Sequence, residues 1–118
     1  MRFRIFNLAV ALLLVSAPVA LADKRSDAKE QVEFGIDVAG RGLWREAIYR
    51  WERAVAIDPT YPAAYNNLAV AYEHEGMLEK AQKAYEKALE LDPKNTFIRQ
   101  NLELFKEIND RANRQAAR

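Results

Sequence analysis

Residues 47–59 read AIYRWERAVAIDP, and residues 81–93 read AQKAYEKALELDP. The two stretches align at one fixed spacing, which we call the repeat offset and which carries position 47 onto position 81. It pairs Trp51 with Tyr85, alanine with alanine at two positions, and the final Asp-Pro with Asp-Pro. Self-similarity at one fixed period is the sequence signature of a repeat architecture. The chain is therefore predicted to contain two copies of one structural unit, and such arrays usually serve as interaction modules.

Each unit is predicted to contain two antiparallel helices. In the unit of residues 62–95, Pro62 stands at a first helical turn, where its missing N–H costs little, and apolar residues then recur at spacings of three and four. Gly76 ends the first helix and Pro93 ends the second, because the residue before a proline disfavours the helical conformation. Residues 28–61 follow the same pattern. The short connections make consecutive helices neighbours in space.

A single helix is predicted after the second unit, over residues 96–109. Its apolar residues form a stripe that would pack back onto the second unit, and Asn95 or Thr96 could cap its start. Residues 110–118 have no apolar face to dock, so this polar tail is expected to fray.

The repeat resembles the tetratricopeptide repeat, a helix-turn-helix unit of about 34 residues. The residues that carry this resemblance in the second unit are Tyr65, Leu68, Ala69, Tyr72, Gly76, Ala81, Tyr85, Ala88 and Pro93. The first unit matches less closely, with Gly35 in the place of Ala69 and Trp51 in the place of Tyr85. The resemblance implies an all-α fold, in which two units and a C-terminal capping helix stack into a short right-handed α-solenoid. Small residues are expected where the two helices of each unit cross: Gly35, Ala47, Ala69 and Ala81.

The N-terminus has the pattern of a secretory signal. Two arginines precede an almost wholly apolar stretch, residues 5–15, and a small-residue cleavage site follows, ending at Ala22. The stretch is shorter than the roughly 20 apolar residues that span a bilayer. Residues 1–22 are therefore predicted to be a removed signal peptide, followed by a repeat domain over residues 23–109. The alternative is that the segment is retained as a membrane helix.

Composition disfavours several classes of function. The chain has 18 basic and 17 acidic residues, a formal charge of +1, and no cysteine. Loss of the two N-terminal arginines would leave the mature chain at −1, which gives no electrostatic footprint for nucleic acid or an anionic membrane. An exported domain without cysteine cannot use disulfides, and we expect such a domain in the bacterial periplasm.

The residue inventory offers no catalytic arrangement. His74 is the only histidine, and its neighbours one helical turn away, Val70 and Leu78, cannot bind a metal. Glu30, Glu33 and Asp37 share one helix, where acids on an exposed face are usually solvated. The protein is therefore predicted not to be an enzyme and to need no cofactor, metal or small-molecule substrate. A small enzyme or metal-binding protein is the least favoured alternative.

The resemblance implies that a partner binds in the concave groove, which is lined by the first helix of each unit. The predicted partner-binding residues are Val32, Ile36, Asn66, Asn67, Val70, Asn101 and Leu104. Asparagines can bond to the backbone of a bound peptide, and the aliphatic residues offer apolar contact. Some relatives hold a C-terminal carboxylate with a basic clamp, but only Asn67 fits that pattern here.

Two functions remain open from the sequence. The first is a non-enzymatic protein-protein interaction adaptor of the cell envelope or periplasm, which binds a protein or peptide segment in the groove. The second is a self-assembling structural protein that uses the same surface to form a homodimer. The second follows because about three repeats are usually needed for a stable solenoid, and this chain has two and one further helix.

Overall fold

The computed structural model describes the backbone of residues 13–118 and the side chains from residue 21 onward. Much of the predicted signal peptide, residues 1–22, therefore lies outside the described residues. In the described range the chain forms five α-helices and no strand, which confirms the predicted all-α fold. The helices are α1 (Leu13–Gly40), α2 (Trp44–Ile57), α3 (Pro62–His74), α4 (Leu78–Leu91) and α5 (Thr96–Ala116).

The turns within the two units are built alike. Gly42 and Gly76 have φ angles of 80° and 74°, in the left-handed region that favours glycine. The residue after each glycine donates its N–H back to Val38 and Tyr72, at 3.0 and 2.7 Å, which is the long bond of a Schellman motif. The repeat offset therefore correctly predicted both helix ends.

Small residues occupy the crossing of the two helices in each unit, as predicted. The alanines at the crossings are completely buried, and the aromatic residues beside them, Trp51 and Tyr85, are buried as well. These side chains belong to one continuous core that runs through both units and reaches α5. The core therefore forms where the backbones approach each other most closely.

The ring of Trp51 requires glycine at position 35. A Cβ atom at position 35 would lie 2.7 Å from two carbon atoms of that ring, which is too close for any real contact. The indole cannot turn aside freely, because its Nε1 donates a hydrogen bond to the carbonyl oxygen of Val32 at 3.0 Å. Only glycine fits at position 35 while the indole keeps this position.

The helix α5 closes the stack. Ile98, Leu102 and Phe105 are buried, and the ring centroid of Phe105 lies 5.6 Å from that of Tyr85. Asn95 accepts a hydrogen bond from the N–H of Ile98 at 3.1 Å, as an N-cap residue does. The predicted stripe is therefore confirmed only in part, because its other two residues, Phe97 and Ile108, are 63% and 51% exposed.

The predicted end of this helix at residue 109 is wrong. The helix continues to Ala116, although every residue from 110 to 118 is exposed. A docked helix propagates cheaply, because each further residue adds one backbone hydrogen bond, and Arg111 also pairs with Glu107 one turn back at 2.7 Å. The absence of an apolar face therefore leaves this segment undocked but does not end the helix.

The helix α1 is anchored to the α2–α3 loop near the predicted cleavage site. Arg25 forms an ion pair with Asp58, and its guanidinium donates to the carbonyl oxygen of Thr60 at 3.1 Å. The N–H and hydroxyl of Thr60 donate to the other Asp58 oxygen at 3.0 and 2.6 Å.

In the described part of the chain, no helix has the length and apolar character needed to cross a membrane.

Stability is expected to fall in acid as Asp58 titrates. Burial acts to raise the pKa of Asp58, but hydrogen bonds from Thr60 and Arg25 outweigh it, so the pKa is lowered overall. A lowered folded-state pKa stabilises fully above the unfolded value of about 4, and this contribution is lost as the pH falls through the folded value. The difference in unfolding free energy between wild type and Asp58→Asn should therefore shrink below about pH 4. Urea unfolding at several pH values measures it, and a difference independent of pH would contradict the assignment.

Candidate partner-binding groove

Three apolar side chains at equivalent positions of α1, α3 and α5 are exposed. Ile36, Val70 and Leu104 follow one another at the repeat offset. They are 54%, 36% and 56% exposed. We call these three residues the apolar ladder. Single exposed apolar residues are common on protein surfaces. Here an apolar residue is exposed at the same repeat position on three helices, so the exposure is a property of the repeat array.

Two predicted groove residues are placed differently from expectation. Val32 is only 4% exposed and belongs to the core, so the prediction that it offers its side chain to a partner is wrong. It lies on the face of α1 that packs toward Trp51. Asn66 is only 7% exposed, and its amide oxygen accepts a hydrogen bond from Nδ2 of Asn101 at 3.2 Å. These two asparagines therefore join α3 to α5.

Asn67 is the predicted asparagine that remains available. It is partly exposed and makes no side-chain hydrogen bond within residues 21–118. It lines a cavity of about 350 Å³ at the N-terminal ends of α3 and α5. The cavity combines polar and apolar walls: Tyr61, Pro62, Ala63, Asn66, Asn67, Asp92, Asn95, Phe97 and Ile98. An amide group and the exposed ring of Phe97 thus lie at one end of the groove.

The packing of His74 could not be foreseen from periodicity. Its ring stacks on that of Trp44, with centroids 4.2 Å apart and planes inclined by 20°. Trp44 begins α2 and His74 ends α3, so the antiparallel arrangement of these helices brings the two rings together. His74 remains about half exposed. Among the described residues, no group of three or more metal-binding side chains lies close together.

Two family models match overlapping parts of the repeat region. The tetratricopeptide repeat model matches residues 62–95, and a second model, described as TPR repeat, matches residues 41–76. This chain is a tetratricopeptide repeat protein. The first match spans α3 and α4, and the second runs from the turn before α2 to the turn after α3.

Relatives of this repeat protein occur in Arabidopsis thaliana. TPR repeat-containing thioredoxin TTL4 is 32% identical over 88 residues, which are 75% of this chain and 13% of that protein. The chloroplastic tetratricopeptide repeat domain-containing protein PYG7 is 37% identical over 62 residues, 52% of this chain and 21% of that protein. The chain therefore matches only a small part of each relative.

A solved structure shows the same fold. The TPR domain of Arabidopsis OM64 superposes with a TM-score of 0.69 at 20% sequence identity. The match covers 80% of this chain and 78% of that domain. The two family models together match residues 41–95. The structural similarity extends beyond this range into the flanking helices.

The ends of the groove lie outside the ranges that the family models match. Val70 lies within both matched ranges, whereas Ile36 and Leu104 lie outside both. Solenoid repeat proteins use an extended concave surface for binding. Two of the three ladder residues therefore lie on α1 and α5, outside the matched ranges.

Proposed function

We propose that this protein is a non-enzymatic adaptor that binds a segment of a partner protein in its concave groove. The observation that carries the proposal is the apolar ladder, which repeats one exposed apolar side chain on α1, α3 and α5. Burial of such side chains against apolar residues of a partner is favourable by about 25 cal/mol per Å². A family whose fold presents an extended concave surface supports the same conclusion.

The available polar groups favour a peptide segment as the occupant. Asn67 has an unused side-chain amide, which can both donate to and accept from an extended backbone. The exposed ring of Phe97 offers a further apolar contact beside it. The proposed partner segment therefore carries apolar side chains for the ladder and exposes backbone amides near Asn67.

The groove is tested with a peptide selected against the wild-type protein from a random display library. Ile36→Glu and Leu104→Glu should each weaken its affinity by about tenfold or more, because a carboxylate would then be desolvated against apolar side chains. Tyr49→Glu is the matched control, since Tyr49 is similarly exposed but lies on α2. Titration calorimetry measures the affinities of these three variants and of the wild type. If both groove variants bind as tightly as wild type, the groove assignment fails.

We propose further that the adaptor acts in the cell envelope or the bacterial periplasm after export. The support is the basic, then apolar, then small-residue order of residues 1–22. Expression of the whole chain in a bacterium, followed by fractionation and mass spectrometry, tests this. A periplasmic product that begins at Asp23 is expected. A cytoplasmic product that begins at Met1 would contradict it, and an uncleaved product in the membrane fraction would favour the retained anchor.

Self-assembly is the second candidate function, and the exposed face of α5 favours it. Phe97, Leu104 and Ile108 are all more than half exposed on the helix that ends the stack. A second copy could cover them and so extend a short solenoid. Light scattering over a range of concentrations distinguishes the two functions. A monomer at high concentration contradicts self-assembly, whereas a dimer that Leu104→Glu dissociates would show that the groove is already occupied.

A further inference from the structure

A second cleft lies on the opposite side of α3 from the apolar ladder. It has a volume of about 320 Å³ and opens between α2 and α4. Its apolar lining comprises Val55, Tyr65, Leu68, Tyr72 and Ala84. On α3, positions 65, 68 and 72 share one helical face, and position 70 points to the other side. The cleft and the groove are thus separate surfaces on the same helix.

The cleft is held open by packing and hydrogen bonding. Tyr72 is buried, and its hydroxyl donates to Glu52 on α2 at 2.7 Å. Burial and this carboxylate raise the pKa of Tyr72, so the hydroxyl stays protonated as a donor. The hydrogen bond therefore ties the ring of Tyr72 to α2. A cleft of this size can accept one bulky side chain of a partner.

The α4 edge of the cleft carries three positive charges. Lys80, Lys83 and Lys87 all line it, at a spacing that places them on one face of α4. Lys87 lies 3.4 Å from Glu90, but neither Lys80 nor Lys83 has an ion-pair partner within residues 21–118. Glu52 is the one acid in the lining, and it already accepts the hydroxyl of Tyr72. The lining therefore has three lysines and one carboxylate, so the border of the apolar floor has a net positive charge.

We infer that this cleft binds a protein segment in which a bulky apolar side chain is flanked by carboxylates. The apolar side chain would fill the cleft, and the carboxylates would pair with Lys80 and Lys83. Acidic residues on the same helix, Glu79, Glu86 and Glu90, border the lysines and would face a flat anionic membrane as well. A short segment can contact the lysines and avoid these acids, which favours a peptide over a lipid surface.

The inference is tested with the acidic pentapeptide EEFEE and two-dimensional NMR of the amide groups. Adding the peptide should shift the amide signals of Val55, Leu68 and Ala84, and leave those of Ile36 and Leu104 in place. The variant carrying Lys80→Glu and Lys83→Glu should bind about tenfold more weakly, because two attractive charge pairs become repulsive. The variant carrying Lys94→Glu and Lys106→Glu has the same net charge and should bind as wild type does.

Two further probes, a second peptide and lipid vesicles, test the role of the apolar side chain and the alternative ligands of the cleft. The peptide EEAEE should bind about tenfold more weakly than EEFEE, since it lacks the ring that fills the cleft. Any one of four results would overturn the inference. These are equal binding of the two peptides, equal loss in both lysine variants, shifts confined to the groove, and no shifts at a large excess of peptide. So would binding to phosphatidylglycerol vesicles without binding of the peptide, or cleft signals that move only with protein concentration. The groove variants do not alter this cleft, so the two proposals fail independently.

Discussion

Replacing Gly35 by alanine is expected to lower the free energy of unfolding by about 1–3 kcal/mol, and Trp51→Tyr in the same chain should recover much of that loss. The added Cβ would lie 2.7 Å from two ring carbons of Trp51, so the ring or the backbone must move. The ring is tied to the Val32 carbonyl, and moving it would break that hydrogen bond as well. The smaller tyrosine ring would relieve the overlap.

The second unit already contains the pair that this double substitution creates. At the repeat offset, Gly35 corresponds to Ala69 and Trp51 to Tyr85. Glycine thus occurs with the larger ring, and alanine with the smaller one. This correspondence predicts that the two substitutions are coupled, so that their effects on stability do not add.

Urea unfolding followed by helical circular dichroism measures the four members of this double-mutant cycle. Gly40→Ala is the control, because Gly40 lies in the same helix with nothing within 4 Å of an added Cβ. It should leave stability unchanged or raise it by up to about 1 kcal/mol. If the single and double substitutions are additive, the ring of Trp51 is not what requires glycine at position 35.

The repeat spacing predicted those features that both units share. The helix order, the turns at Gly42 and Gly76, and the small residues at the crossings all follow from one offset and from steric rules. Periodicity could not decide which residues at the border between core and groove are exposed. Val32 and Asn66 occupy equivalent positions and both are buried: Val32 belongs to the core, and the side chain of Asn66 accepts a hydrogen bond from Asn101.

The extent of α5 and the stacking of His74 were also beyond the sequence pattern. The lack of an apolar face after residue 109 favours fraying, but a helix that is already formed continues at little cost. The contact of His74 with Trp44 joins residues that are far apart in the chain. The apolar ladder, in contrast, was largely predictable, because Ile36, Val70 and Leu104 are all exposed as expected.

Replacing Phe105 by alanine is expected to destabilise the protein by about 3–5 kcal/mol. Phe105 is only 2% exposed, and its ring packs against that of Tyr85 in the core of the second unit. Tyr85 in turn donates its hydroxyl to Glu73 on α3 at 2.9 Å. The substitution would thus leave a cavity where α5 meets both helices of that unit.

Leu104→Ala is the matched control, because Leu104 is the preceding residue of the same helix and is largely exposed. It should change stability by no more than about 0.5 kcal/mol. Removal of residues 110–118 should also have little effect, since all of them are exposed. Urea unfolding of the three variants against wild type gives the comparison, and equal losses for Phe105→Ala and Leu104→Ala would contradict it.

The loss in Phe105→Ala should also change how the stack unfolds. Solenoid stability is approximately a sum of unit and neighbour terms, and α5 supplies the outer neighbour of the second unit. A loosened α5 would expose Tyr85 and would carry Leu104 away from the other members of the apolar ladder. Phe105→Ala should therefore weaken binding of a groove peptide without altering any residue that contacts it, whereas removal of residues 110–118 should leave binding intact. If Phe105→Ala binds the peptide as wild type does while folding less stably, the position of α5 is not needed for the groove.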